Sequence, residues 1–172
     1  LISDILDLSK IEAGTLELNY SNIELNELMR ELERGFLLRV KTDAVKLEFV
    51  EPAEPCMVHT EKNRLSQLMI NLVTNAIKFT EKGSIRFSYE MRENELYFYV
   101  TDTGCGIPED KQKVIFERFE KVDEYAQGTG LGLSISQTII EHLGGSVQLD
   151  PTYKHGARFI VLHPYNPLDN PS

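Results

Sequence analysis

The chain has 172 residues, with 18 basic and 27 acidic side chains and a formal charge of −9. That acidic balance argues against nucleic-acid binding through the protein's overall field, and 41% hydrophobic with 26% charged residues excludes global disorder. The length suits one domain with an appendage, and a domain of ~150 residues buries roughly 70% of its unfolded surface, so no disulfide or metal staple is required.

The opening stretch, Leu1 to about Leu18, places Leu1, Ile5, Leu8 and Ile11 at helical spacing with Ile2 and Leu6 beside them. A helix apolar on more than one side belongs in a bundle or at the start of the globular domain, and Gly14 is expected to end it. The chain begins at Leu1 already in this pattern, so a fragment of a longer protein is expected. A strand-like segment near Leu16 to Ile23 comes next, then a helix around Asn26 to Val40. Val45–Val50 and Cys56–His59 read as strands separated by Pro52 and Pro55.

A long helix is expected from about Glu61 to Phe79, closed by Thr80 and a turn at Lys82-Gly83. Ile85, Phe87, Tyr89 and Met91 alternate with polar residues, as do Leu96, Phe98 and Val100, giving two half-buried strands. Leu131, Ile135, Ile139 and Leu143 form a stripe on a last helix ended by Gly144-Gly145. Val147–Leu149 and Phe159–Val161 supply two more strands, and a Pro/Asn-rich tail starts at Pro164. Adjacent strands with helices bunched elsewhere predict an α+β two-layer sandwich.

Cys56 and Cys105 form no Cys-x-x-Cys spacing and the four histidines complete no zinc pattern, so a reducing cytosol is the expected setting. The longest strictly apolar run, Leu96 to Val100, is far short of the ~20 residues that span a bilayer.

Three places carry chemistry. On the long helix Asn71, Asn75 and Lys78 fall within about 40–60° of one another, beside a separate arc of Leu65, Leu68, Leu72, Ala76 and Phe79. One flank therefore holds two amides and an ammonium, which a merely solvated face would also explain. A strand then ends in Thr101-Asp-Thr-Gly104-Cys-Gly106-Ile-Pro108, a carboxylate followed by two glycines that admit a close approach of backbone to a flat ligand or to phosphates. A tight turn would leave the same pattern. Third, Gly128-Thr129-Gly130-Leu131-Gly132 opens the last helix, presenting bare N–H groups and the positive end of its dipole to an anion. Neither glycine run is a dinucleotide fingerprint or a Walker loop.

Taken in order, Asn71-Leu-Val-Thr-Asn75-Ala-Ile-Lys78-Phe79-Thr80, Asp102-x-Gly104-x-Gly106, Phe116-Glu-Arg-Phe119 and Gly128-Thr-Gly-Leu-Gly-Leu133 resemble the N box, first glycine box, F box and second glycine box of sensor histidine kinases. The resemblance covers about residues 16–163, and Asp4-Ile-Leu-Asp-Leu-Ser-Lys-Ile-Glu-Ala-Gly14 looks like the end of a dimerisation and phosphotransfer helix. It implies a Bergerat ATP-binding fold with a mostly antiparallel mixed sheet, helices on one face and a lid. The implied division is 1–15 for the helix remnant, 16–163 for the catalytic domain and 164–172 for a flexible tail.

Carried over by position, Asp102 would accept a hydrogen bond from the adenine amino group, with Gly104 and Gly106 shaping its turn. Asn75 would hold Mg²⁺, Lys78 would meet phosphate and Phe79 would line the adenine pocket. Gly128, Thr129, Gly130, Leu131 and Gly132 would wrap the phosphates. Phe116 and Phe119 would anchor a lid between Glu120 and Gln127, and Arg118 and Lys121 are the nearest side-chain cations. Asn71 corresponds to a position that resembles a glutamate in gyrase and heat-shock ATPases. An amide is no base at neutral pH, so the implied task is to hold Mg-ATP and present its γ-phosphoryl to a histidine.

Two departures stand out. Ala157 occupies the place where the family carries a hydroxyl near adenine, and none of His59, His142, His155 or His163 lies in a Ser-His-Glu-like segment. Little autophosphorylation is therefore expected. The implied partners are ATP, a histidine-containing dimerisation domain that pairs in the full protein, and a response-regulator receiver domain, with no nucleic acid. The implied location is a cytoplasmic domain of a parent anchored in the inner membrane. The alternatives are an ATP-gated ATPase of the gyrase or mismatch-repair type, and an interaction module that has lost its nucleotide.

Overall fold

The computed structural model describes residues 9–10, 14, 17–112, 115–116 and 132–165. In chain order the elements are β1 (Ser21–Glu24), α1 (Leu25–Arg39), β2 (Val45–Phe49), β3 (Met57–Thr60), α2 (Lys62–Phe79), β4 (Gly83–Arg92), β5 (Glu95–Asp102), α3 (Gly132–His142), β6 (Ser146–Leu149) and β7 (Ala157–Pro164). Ser9 and Lys10 are helical and Gly14 has φ +69°, where the sequence expects the opening helix to end. Most of that helix lies outside the described residues. No helix among the described residues is long and apolar enough to cross a membrane.

Both long helices start on a glutamate. The Glu24 carboxylate accepts the N–H groups of Asn26 and Glu27 at 3.0 and 2.7 Å. The Glu61 carboxylate does the same for Asn63 and Arg64 at 3.1 and 3.2 Å, and Arg64 Nε lies 3.3 Å from it. These donors have no intrahelical partner, and a negative cap suits the positive end of the dipole. Glutamate is not among the preferred caps, so residue type alone carries no such signal at these positions.

Five strands form one sheet in the order β2-β4-β5-β7-β6, with β2 parallel to β4 and every other pair antiparallel. Side-chain alternation puts Ile85, Phe87, Tyr89, Leu96, Phe98, Val100, Phe159 and Val161 on one face, where they join residues of all three helices in a single core. Arg86, Tyr97, Tyr99, Thr101 and Arg158 line the opposite, open face. The expected two-layer sandwich is therefore what forms.

Three details differ from expectation. Met91 shares the inward parity but is exposed at the strand's far end, whereas Ser88 is buried and donates its hydroxyl to the Val50 carbonyl. Gly83 opens β4 at φ +126° instead of ending a turn. Pro164 ends β7, and the Tyr165 N–H donates to the Asn94 carbonyl at 3.1 Å; the rest of the expected tail lies outside the described residues.

β1 and β3 form a separate antiparallel ribbon. A buried hydrogen bond ties it to the main sheet: His163 Nε2 lies 2.9 Å from Thr60 Oγ1. His163 Nδ1 lies 2.6 Å from the Pro164 carbonyl, which can only accept, so Nδ1 carries the proton and Nε2 accepts from the Thr60 hydroxyl. Burial pushes this imidazole below its ordinary value, against the opposing pull of the Pro164 carbonyl.

A lowered folded-state pKa means that the unfolded chain takes up the proton first. Stability from this group is complete above the ordinary histidine range and is lost as pH falls below about 6.5. Urea unfolding from pH 7 to pH 5.5 is expected to show a falling free energy, with a slope of at most ~1.4 kcal/mol per pH unit from this one proton. In His163→Gln that slope flattens, whatever the variant's absolute stability.

Candidate functional site

Three backbone segments converge at the end of β5. Asp102 pairs with Ile85 of β4 on one side and Ala157 of β7 on the other. Its side chain is 3% exposed, and Oδ1 accepts the Gly104 N–H at 2.9 Å and the Ala157 N–H at 3.2 Å. Both bonds fall on the same oxygen, so Oδ2 takes neither. Burial raises the carboxyl's pKa, while the two N–H groups favour the ionised form and pull it back.

The turn after Asp102 lies against the C-terminus of α2. The Cys105 N–H donates to the Phe79 carbonyl at 3.2 Å, and a Cβ on Gly104 would stand 2.1 Å from that same oxygen. Gly106 has φ +73°. On the far side a Cβ on Gly156 would meet the Asp102 carbonyl oxygen at 2.1 Å, and Gly156 has φ +147°. Only glycines let these chains close around one carboxylate.

α2 buries Leu65, Leu68, Met69, Leu72, Val73 and Ala76 against the sheet and α3. Asn71 and Asn75 are half-buried on its flank and Lys78 is exposed one turn further on. Phe79, expected on the core arc, is instead only half-buried, and its carbonyl supports the glycine turn. Ile115 is buried and Phe116 packs edge-on against Phe159 of β7, with ring centroids 6.1 Å apart. Gly132 opens α3, whose Ile135, Ile139 and Ile140 are buried.

A family model described as histidine kinase-, DNA gyrase B- and HSP90-like ATPase matches residues 60–167, which take in α2, the β5 turn, α3 and the last two strands. The chain belongs to this ATPase family. A Haemophilus influenzae relative, the aerobic respiration control sensor protein ArcB homolog, is 37% identical over 149 residues. Those residues cover 84% of this chain but 46% of that protein, so the chain spans less than half of the relative's length.

Among solved structures, the nucleotide-free catalytic domain of histidine kinase ThkA matches with a TM-score of 0.76 at 32% identity, over 87% of this chain and all of that one. Full-length ShkA in complex with AMPPNP matches with a TM-score of 0.83 at 26% identity, over 96% of this chain and 35% of that chain. Curated relatives of this chain are sensor histidine kinases, and its fold is that of histidine kinase catalytic domains.

Within the ATPase fold, Asp102, Gly104, Gly106 and Phe79 meet at one junction, and Asn71, Asn75 and Lys78 stand along the helix that ends there. Phe116 reaches the core at β7 beside the same sheet end. Phe119, Gly128, Thr129, Gly130 and Leu131 lie outside the described residues, as do Arg118 and Lys121.

Two backbone contributions were not foreseen from the sequence. Ala157 lacks the family's hydroxyl, yet its backbone N–H holds the carboxylate. Gly156 is the residue that allows this, and a glycine just ahead of the strand paired with Asp102 was the available signal.

Gly104→Ala is expected to cost about 1–3 kcal/mol in urea unfolding, because the new methyl meets backbone and cannot be relieved by a rotamer change. Gly35→Ala is the control. It lies inside α1 with nothing within 4 Å of the added Cβ, and it is expected to stabilise by about 0.5–1 kcal/mol.

Proposed function

We propose that this chain is the ATP-binding catalytic part of a two-component sensor histidine kinase. In this reading it binds Mg-ATP and hands the γ-phosphoryl to a histidine on a dimerisation domain, from which a receiver domain takes it. The observation that carries the reading is the buried Asp102 carboxylate, fixed through Oδ1 by two backbone N–H groups with Oδ2 taking neither. An ionised carboxylate only accepts, so it suits the amino group of adenine and repels the carbonyl oxygen that guanine has there. The AMPPNP bound by ShkA, a structure of the same fold, supports ATP as the ligand.

The other residues divide the work. Phe79 lines the base, and Lys78 offers its ammonium to phosphate. Asn75 would hold Mg²⁺ through its amide oxygen, with Asn71 one turn earlier on the same flank. The donor set fits a metal that arrives with its ligand: the described residues contain no cluster of three or more His, Cys, Asp or Glu, and Mg²⁺ commonly keeps substrate phosphates among its ligands. Bound there, the ion would neutralise charge on the phosphoryl group in flight. By the family resemblance, the residues from Gly128 to Gly132 would meet the phosphates, and Phe116 and Phe119 would anchor a lid.

Chemically, a histidine nitrogen attacks the γ-phosphorus, the bridging P–O bond breaks, and ADP leaves. Asn71 cannot take a proton from water, so the site positions ATP rather than hydrolysing it. In this reading the acceptor histidine would belong to a dimerisation domain, to whose final helix the segment Asp4 to Gly14 is similar in sequence. Residues 1–15, 16–163 and 164–172 are helix remnant, catalytic domain and tail in this reading, and a membrane-anchored parent completes it.

Calorimetry with Mg²⁺ and AMPPNP tests the proposal. Asp102→Asn is expected to weaken binding 10- to 100-fold, the effect of about 1.5–3 kcal/mol lost with a charged acceptor. Hydrolysis of ATP by the chain alone should stay near background. Steady turnover would move the assignment to a gyrase-type ATPase, and a folded chain that binds no nucleotide would leave an interaction module.

A further inference from the structure

Thr80 closes α2 with a hydroxyl that has no hydrogen-bond partner, and Oγ1 is the one buried side-chain oxygen or nitrogen so placed among the described residues. The residue is 4% exposed. An unpaired buried hydroxyl is destabilising, and valine, of nearly the same shape, would avoid that cost. An orphan of this kind calls for an explanation, and a partner that arrives with a ligand is one.

Its position supplies the ligand. A Cβ on Gly104 would lie 2.8 Å from Thr80 Oγ1, so the hydroxyl abuts the turn whose N–H holds Asp102. Gly104 brings no side chain to pair with it. The neighbouring Phe79 carbonyl already accepts the Cys105 N–H. The carboxylate that accepts two backbone bonds and the hydroxyl that makes none therefore both adjoin one glycine.

We propose that Thr80 is a base-recognition residue whose hydroxyl gains its partner only when nucleotide binds, directly from the edge of the base or through one bound water. This rests on the adenine site proposed above and adds a second polar group to it. Asp102 accepts from the base; Thr80, able to donate or accept, serves the atom next to the amino group. The unliganded protein carries the orphan as a cost that binding removes.

The test is the sign of two measurements on Thr80→Val and Thr80→Ser. In thermal unfolding without nucleotide, Thr80→Val should be as stable as the wild type or more so. In calorimetry with Mg²⁺ and AMPPNP, Thr80→Val should bind about three- to tenfold more weakly, the loss of one hydrogen bond, and Thr80→Ser should bind as the wild type does. If valine crowds the turn and the variant unfolds, Thr80→Ala removes the hydroxyl without adding an atom and should show the same binding loss.

Wild-type affinity in the valine and alanine variants overturns the inference. So does a serine variant that binds as weakly as they do, because the methyl and its packing would then be what matters. If Asp102→Asn loses binding while Thr80→Val keeps it, only the role of Thr80 falls. A wild-type chain that binds no nucleotide removes the adenine site and this inference together.

Discussion

The arrangement depends on a carboxylate that is both buried and held. Taking Asp102 out of water penalises its charge, and two backbone N–H groups aimed at one oxygen recover part of that loss. Neither donor is a side chain. One comes from the turn that Asp102 itself begins, the other from the first residue of a strand 55 positions later. A charge fixed by main chain cannot swing aside, and in the proposed site its second oxygen would be held ready for the base. That is why the glycines matter: each marks a place where a Cβ would force one of these backbones away from the carboxylate.

The same constraint explains how α2 serves two purposes. Its buried stripe from Leu65 to Ala76 docks it on the sheet, which sets the height of its last residue. Phe79 then delivers a carbonyl to the glycine turn, and the flank with Asn71, Asn75 and Lys78 is carried to the same end of the sheet. Glu61, nearly buried, starts the helix by satisfying two N–H groups. The helix is thus pinned at both ends, and the polar flank inherits a rigid frame.

Much of this was legible from spacing alone. The strands around Phe87, Phe98 and Phe159 alternate with period two because one face meets helices and the other does not. The stripe of α2 and the isoleucines of α3 declare their buried faces through helical spacing. What spacing could not reveal is contact across distance in sequence. Nothing local to Ala157 says that its N–H meets a carboxylate in β5, since any residue except proline offers the same donor. Thr80 looks like an ordinary helix terminator until its hydroxyl is found sealed against Gly104. Met91 and Ser88 invert the pattern of β4 because that strand outruns the helices at one end and meets the Val50 carbonyl in the middle. His163 lies just beyond the strand expected at Phe159–Val161, yet it bridges the small ribbon to the sheet.

The net charge of −9 sets a final condition on the proposed ligand, itself a polyanion. At physiological ionic strength fields fade over about 8 Å, so most of the protein's carboxylates are screened from a bound phosphate while groups in contact with it are not. In the proposed site attraction would then be local, from the ammonium of Lys78, a divalent ion that travels with the triphosphate, and main-chain N–H groups. Base recognition at Asp102, as proposed, would place another negative charge in the site. The carboxylate would address the base, which carries no charge at neutral pH. With the carboxylate at the end of β5 and the ammonium on α2, the proposed site would let an acidic protein accept an acidic ligand and still choose its base.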